Sequence, residues 1–230
     1  MKVTNIETHL VGLYTFVRVM TDEDLYGIGE VHPASGTGGT PFTSRAAVDY
    51  CAEYLVGKDP AEIERHWQHM FRRCLFRGGP DAMAAIGGID MALWDIAGKA
   101  AGRPVHELIW RSFASTRAGV EPREHVTPYA TVYSSGETLD LLRERLGQAV
   151  ERGFKAIKIE EGPGMFGNVD LATDVAVART AREAMGDDRE LMIDVQNRWP
   201  DVGRAVATIR AIEQYRPFFI EAPLPADNLE

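Results

Sequence analysis

The chain has 230 residues, of which 45% are apolar, and its 25 basic and 34 acidic side chains give a formal net charge of −9. This balance is typical of a globular protein, and the acidic excess argues against nucleic acid as a partner, because phosphate binding requires clustered Lys and Arg. No stretch approaches the roughly 18 apolar residues of a membrane span, and the amino terminus lacks the pattern of a signal peptide. Cys51 and Cys74 lack metal-ligand spacing, so we expect reduced thiols in a cytoplasmic protein, with a single disulfide as the alternative.

Short alternating stretches at the start of the chain predict an antiparallel meander of three strands, over residues 2–10, 15–20 and 25–31. The apolar period then becomes helical and predicts three helices, over residues 43–56, from Asp59-Pro60 onward, and over 80–101. Thr43 or Ser44 is expected to cap the first helix, and Asp59 the second. The third helix is rich in Ala and Gly, so we expect close packing against its neighbours to stabilise it.

Beyond residue 128 strands alternate with helices, which predicts a parallel sheet with right-handed crossovers. The predicted strands cover residues 129–133, 156–159, 191–195 and 218–220, and the helices cover 137–152, 170–185 and 202–215. The stretch 111–127 is expected to be irregular. The fold class is therefore α/β, with an α+β domain over 1–125 and a βα domain over 126–230.

Polar side chains at the carboxyl ends of the predicted parallel strands are the main functional signal, because βα proteins place their sites at that edge. Lys158 and Glu160 end the second strand, Asp194 and Gln196 follow the third, and Glu221 follows the fourth. Carboxylates on adjacent strand ends can reach one hard cation, so this set predicts a Mg²⁺ site.

A purely structural role is the alternative for each of these residues. An isolated acid such as Asp194 often accepts backbone N–H groups as a helix cap. Glu221 is harder to explain in that way, because it lies in an Ile-Glu-Ala-Pro-Leu-Pro context without an obvious donor. Lys158 ends a buried apolar run, where a charge is normally paired or functional.

The segment Gly-Gly-Ile-Asp-Met-Ala-Leu-Trp-Asp-Ile-Ala-Gly-Lys at 87–99, followed by Gly-Arg-Pro-Val at 102–105, is distinctive. It resembles the hallmark helix of the mandelate racemase and muconate lactonizing enzyme branch of the enolase superfamily. The resemblance extends over residues 154–160, 193–199 and 219–225, and Arg-Gly-Gly-Pro at 77–80 resembles the acid-sugar dehydratases of that branch. It implies a capping domain on a modified (β/α)₈ barrel, and Mg²⁺-assisted abstraction of the proton α to a carboxylate.

Within this resemblance, Asp194 and Glu221 match the first and second metal ligands, and Lys158 matches the first Lys of a Lys-x-Lys pair. The second Lys, usually a catalytic base, is replaced by Glu160. Glu160 would act as the base if burial or a like charge raised its pKa, although Lys158 opposes that shift. Alternatively, Glu160 pairs with Lys158 or leans toward the metal. Gln196 stands where Asn is common.

The predicted strands make only the first half of a barrel, against about 250 residues for a whole one. The third metal ligand and the opposite-face base of the family would lie on later strands. We therefore leave three interpretations open: a piece of a longer protein, a shortened chain that self-associates as a homo-oligomer across its open edge, or an unstable remnant.

The predicted function is Mg²⁺-dependent dehydration of an acid sugar or related small carboxylate. A racemase or epimerase of a similar acid is the alternative within the same chemistry, and a catalytically inactive homologue is the alternative outside it. The loop after the third strand makes His32 a candidate substrate contact, with a plain surface loop as the simpler interpretation.

Overall fold

The computed structural model describes residues 1–12, 14–31, 41–73, 79–114, 123–133, 138–160 and 170–225. His32 and Cys74, which the sequence singled out, lie outside these ranges. The chain divides into two compact units, Met1–Pro122 and Arg123–Glu230.

The first unit contains an antiparallel sheet in the order β1-β2-β3, formed by β1 (Val3–Val11), β2 (Tyr14–Thr21) and β3 (Tyr26–Val31). The predicted meander is therefore confirmed. Its described helices are α1 (Pro41–Leu55), α2 (Ile63–Arg73), α3 (Gly79–Ala101) and α4 (Val105–Ala114). A core of buried aliphatic side chains lies between the sheet and these helices, and includes Val17, Val19, Val31, Ile86, Ile89 and Leu93.

The predicted starts of the first two helices are wrong. Helix α1 begins at Pro41, so Thr43 lies inside its first turn, where its hydroxyl donates to Asp81 at 3.1 Å. Helix α2 begins at Ile63, and Asp59 accepts the N–H of Ala61 at 3.0 Å in the preceding turn. The sequence pattern located the helices correctly but not their first residues, because several polar residues near each start can cap a turn.

Helix α4 was not predicted, and its last turn occupies the start of the stretch expected to be irregular. It begins directly after Pro104, and the N–H of Glu107 donates to the Pro104 carbonyl at 3.1 Å. An ion pair between Arg103 and Glu107 at 3.0 Å supports this first turn. Within the stretch expected to be irregular, residues 111–114 are therefore helical, and Arg111 lies in the last turn of α4.

Strand β3 and helix α3 approach each other so closely that glycine is required on the strand. A Cβ placed on Gly29 would lie 1.8 Å from the carbonyl oxygen of Gly88, and one on Gly27 would lie 1.9 Å from that of Ala92. Gly88 and Ala92 of α3 are therefore packing residues, as predicted from the density of small residues in this helix. This contact is what the hallmark segment and the Gly-x-Gly pattern of β3 encode.

Asp95 of the hallmark segment accepts a hydrogen bond from a backbone N–H group of the edge strand β3. Its carboxylate accepts the backbone N–H of Ile28 at 2.9 Å and the ammonium of Lys99 at 2.7 Å. Lys99 also donates to the carbonyl of Tyr26 at 2.7 Å. Asp95 and Lys99 thus fasten the helix to the strand.

The second unit contains four parallel strands in the order β4-β5-β6-β7, namely β4 (Ala130–Tyr133), β5 (Ala156–Glu160), β6 (Glu190–Asp194) and β7 (Pro217–Glu221). They alternate with α5 (Leu139–Glu151), α6 (Leu171–Met185) and α7 (Val202–Ile212), and α7 ends in a 3-10 turn. Thr138, Asp170 and Asp201 cap these three helices through their side chains. The α/β class and the parallel sheet of βα units are therefore confirmed.

Buried strand residues, including Ile157, Ile159, Leu191 and Ile193, pack against Leu142, Leu146, Val177 and Ala181 of the helices. At the amino ends of the strands, the guanidinium of Arg182 donates to four backbone carbonyls, those of Tyr215, Gly186, Arg189 and Arg216. This hub satisfies the carbonyls of the turns that enter β6 and β7 and leaves the opposite edge of the sheet to carry the polar site.

Candidate active site

Four polar side chains form one row across the carboxyl ends of the parallel strands. Tyr133 pairs in register with Glu160, Glu160 with Asp194, and Asp194 with Glu221. Neighbouring strands lie about 4.8 Å apart, so each side chain of the row is close to the next. The strand-end rule thus brings the predicted acids to one edge.

Lys158 lies two residues before Glu160 on β5, so both side chains point to the same face of the sheet. The Lys158 ammonium group contacts two of these acids. Its Nζ donates to Oε2 of Glu221 at 2.8 Å and to Oδ2 of Asp194 at 3.3 Å. The side chains of Lys158 and Asp194 are 11% and 5% exposed, whereas that of Glu221 is 46% exposed. Asp194 and Glu221 are therefore close enough to share one cation, and the ammonium group is that cation here.

The protonation of Lys158 follows from this pairing. Burial by itself lowers the pKa of an ammonium group, because it disfavours the charged form. The hydrogen bonds and negative charges of Glu221 and Asp194 outweigh burial, so the pKa of Lys158 is raised above its ordinary value. At neutral pH Lys158 is a fixed positive charge and not a base.

Glu160 has the opposite perturbation. Burial raises the pKa of its carboxyl group, the charge of Asp194 raises it further, and Lys158 lowers it only as a smaller effect. The net pKa is raised. The opposing influence of Lys158, which the sequence suggested, is thus present but does not prevail, and Glu160 is a more basic carboxylate than an ordinary one.

Gln196 connects the acids of the row. Its Nε2 donates to Oε1 of Glu160 at 3.1 Å and to Oδ2 of Asp194 at 3.0 Å. Its backbone N–H donates to Oδ1 of Asp194 at 3.1 Å. Gln196 therefore fixes the orientation of two carboxylates that would otherwise repel each other.

The backbone after β6 is held beside the backbone after β7. The N–H groups of Val195 and Asn197 donate to the carbonyls of Glu221 and Ala222 at 2.9 and 2.7 Å. Gln196 and Asn197 have φ values of 57° and 60°, in the left-handed region that non-glycine residues rarely adopt. Such a backbone conformation costs free energy, so it persists only where surrounding contacts hold it, and it is common at active sites.

The structure thus brings together Lys158, Glu160, Asp194 and Glu221, with Gln196 between them. His32 lies outside the described residues. Tyr133 was missed by the sequence reasoning, although its side chain hydrogen bonds to Glu160. The signal that would have found Tyr133 is the one used for the other strands, since it is the last residue of the first parallel strand.

The candidate metal ligands of this site are two carboxylates, those of Asp194 and Glu221. Within the described ranges, no group of three His, Cys, Asp or Glu side chains is arranged to hold one. Mg²⁺, however, is commonly held by one or two carboxylates and completes its shell with water or substrate oxygens. Asp194 and Glu221 already share a cation through Lys158, so the chemistry of this pair fits Mg²⁺.

The fold and the site define an α/β protein whose parallel βα units carry acids at their carboxyl edge. Residues 2–110 match the family model described as mandelate racemase / muconate lactonizing enzyme, N-terminal domain, and residues 141–230 match the model described as enolase C-terminal domain-like. The chain belongs to the mandelate racemase/muconate lactonizing enzyme family.

Curated relatives include the D-galactonate dehydratases of Pectobacterium atrosepticum and Ralstonia nicotianae, each 38% identical to this chain. Each alignment covers 100% of this chain and 57% of the relative. The chain therefore spans little more than half the length of the curated relatives it matches.

Solved structures that share the fold over nearly the whole chain include the following two. The 3,6-anhydro-D-galactonate cycloisomerase from Zobellia galactanivorans is 28% identical, with a TM-score of 0.79 over 98% of this chain and 59% of its own. An enolase from Agrobacterium radiobacter, with bound Na and L-malate, is 26% identical, with a TM-score of 0.81 over 99% of this chain and 56% of its own. In the part of the chain that is described, no helix has the length and apolar character to cross a membrane.

Proposed function

We propose that this chain carries the metal-binding residues of an active site that removes the proton α to a carboxylate, in the dehydration of an acid sugar. The observation that carries the proposal is the ammonium of Lys158 shared by Asp194 and Glu221 at the carboxyl edge of the parallel sheet. The relatives named D-galactonate dehydratases support the substrate class. The L-malate in a structural neighbour, a hydroxy acid, supports it independently.

Asp194 and Glu221 would hold Mg²⁺ in this proposal. When bound, the ion supplies positive charge that stabilises the enediolate formed from the substrate carboxylate. Lys158 adds a second positive charge beside the same two carboxylates. A carboxylate substrate is therefore attracted to an edge that would otherwise carry three negative charges.

Glu160 is the proposed base. Its raised pKa makes its carboxylate a better proton acceptor, because base strength rises with pKa. The α C–H bond breaks, the proton moves to a carboxylate oxygen of Glu160, and the bonding electrons move into the substrate carboxylate to form the enediolate. The enediolate electrons then form a Cα–Cβ double bond as the C–O bond to the β-hydroxyl group breaks. That hydroxyl group takes a proton from solvent and leaves as water, and the resulting enol becomes the α-keto acid. Gln196 and Tyr133 orient Glu160 for the first step.

Thermal unfolding in the presence of Mg²⁺ tests the metal site. We expect the wild-type melting temperature to rise by about 3–6 °C at ten times the Kd of Mg²⁺. Asp194→Asn should abolish this rise, while Asp188→Asn, whose side chain is 70% exposed, should retain it. An unresponsive wild-type protein, or an unchanged response in Asp194→Asn, would contradict the assignment.

Incubation with D-galactonate and related acid sugars in D₂O with Mg²⁺ tests the reaction. Dehydration should yield an α-keto acid, and NMR should detect it together with the loss of substrate. Exchange of the α-proton for deuterium without a keto acid would instead favour the racemase or epimerase. Neither exchange nor product across the panel would favour the inactive homologue.

A further inference from the structure

Asp174 is a buried charge that the proposed reaction does not use. It lies in the first turn of α6 and is 4% exposed. Its Oδ2 accepts the indole N–H of Trp199 at 2.9 Å and the guanidinium of Arg204 at 2.7 Å. A buried carboxylate is stable only when it is paired in this way, so the contact ties α6 to the residues that follow β6.

Trp199 is the last residue of the segment that follows β6 and carries two residues of the candidate site, Asp194 and Gln196. We call residues 194–199 the site loop, since it begins with Asp194 and includes Gln196. Trp199 is 1% exposed, and its backbone N–H donates to the carbonyl of Pro223 at 3.2 Å. The site loop is therefore anchored at one end by β6 and at the other by the indole of Trp199.

The left-handed residues Gln196 and Asn197 lie between these two anchors. Without a fixed far end, the loop can relax toward ordinary φ values, because its conformation is unfavourable for L-residues. Such relaxation would withdraw the Gln196 amide from Glu160 and Asp194 and would loosen the backbone bonds to Glu221 and Ala222.

We propose that Asp174 is a positioning residue, which acts through the indole N–H of Trp199 to hold the site loop in the conformation that aligns Asp194 with Glu221 for a divalent cation. This role rests on the proposed Mg²⁺ site. The essential element is the acceptor oxygen offered to the indole, and the ion pair with Arg204 supports the fold of α7 separately.

Two substitutions of Asp174 distinguish the role of its acceptor oxygen from the role of its negative charge. Asp174→Asn and Asp174→Leu both remove the negative charge opposite Arg204, but only Asn keeps an oxygen for the indole. We expect isothermal titration to give a Mg²⁺ Kd for Asp174→Asn within about twofold of wild type. Asp174→Leu should raise it about tenfold, the scale found for residues that orient metal ligands.

Trp199→Phe provides a second variant that leaves the Asp174–Arg204 pair intact, and it should raise the Mg²⁺ Kd like Asp174→Leu. Equal Kd values for wild type, Asp174→Leu and Trp199→Phe would overturn the proposal, as would equal weakening by Asp174→Asn and Asp174→Leu.

Amide hydrogen exchange in metal-free protein keeps this test separate from that of the metal site. In Trp199→Phe and Asp174→Leu, the N–H groups of Val195 and Asn197 should exchange at least tenfold faster than in wild type. If the wild-type protein binds no Mg²⁺, the proposed function fails. Faster exchange would then still support the tether, and unchanged exchange would overturn it.

Discussion

Lys158 and Glu221 are 63 residues apart in sequence, yet the Lys158 ammonium lies 2.8 Å from a carboxylate oxygen of Glu221 across the intervening strand β6. The same nitrogen contacts Asp194, so one positive charge holds two carboxylates that would repel each other. The site is therefore organised around a cation that belongs to the chain. Mg²⁺ would meet an assembled pair of ligands but would also compete with Lys158 for them.

Lys158→Met should separate these two effects. Removing the ammonium leaves Asp194 buried without its counter-charge, so the free energy of unfolding without metal should fall by about 2 kcal/mol. This is less than the full cost of breaking a buried pair, because Glu221 is partly exposed. Mg²⁺ should raise the melting temperature of Lys158→Met more than that of wild type, because the competing cation is gone. Lys155→Met, on an exposed residue just before β5, is the matched control, and an equal response of both variants would contradict this account.

Glu160→Gln should change how stability depends on pH. The folded-state pKa of Glu160 is raised, so the contribution of this group to stability is complete below the pKa of the unfolded chain and is lost as the pH rises through the folded-state pKa. The stability of Glu160→Gln relative to wild type should therefore be greater at pH 7.5 than at pH 4. Urea unfolding at both pH values measures the difference. The exposed Glu190 is the control, and a comparable change in Glu190→Gln would show that the effect is not specific to the site.

Gly29→Ala should destabilise the first unit severely. The new methyl group would lie 1.8 Å from the carbonyl of Gly88, so strand and helix would have to separate, at a cost of about 3 kcal/mol or more. Gly87 directly precedes Gly88 on helix α3, and a Cβ added there would have no atom within 4 Å. Gly87→Ala should therefore stabilise the protein by about 0.5–1 kcal/mol through helix propensity. Urea unfolding of the two variants tests this, and a similar effect of both would refute the close contact between β3 and α3.

The second unit was predicted closely because its signals are local. Apolar strands that alternate along the chain with capped amphipathic helices are enough to predict βα units. In any such fold the carboxyl ends of the parallel strands lie at one edge of the sheet. Lys158, Glu160, Asp194 and Glu221 could therefore be selected from the chain before any coordinates were known. The missed helix α4 and the wrong helix starts arose where local signals were ambiguous, since polar residues serve equally as caps, linkers and exposed helical surface.

The sequence by itself determined the order of the strands and of the helices other than α4, the family, and the residue types available at the strand ends. Only the tertiary structure decided in which direction the pKa values of these residues shift, because the shifts depend on distances and burial that the spacing in the sequence does not give. The raised pKa of Glu160 and the pairing of Lys158 with two acids arise in this way. The tether from Asp174 to Trp199 likewise joins residues 25 positions apart, through a buried contact that exists only once α6 packs beside the site loop.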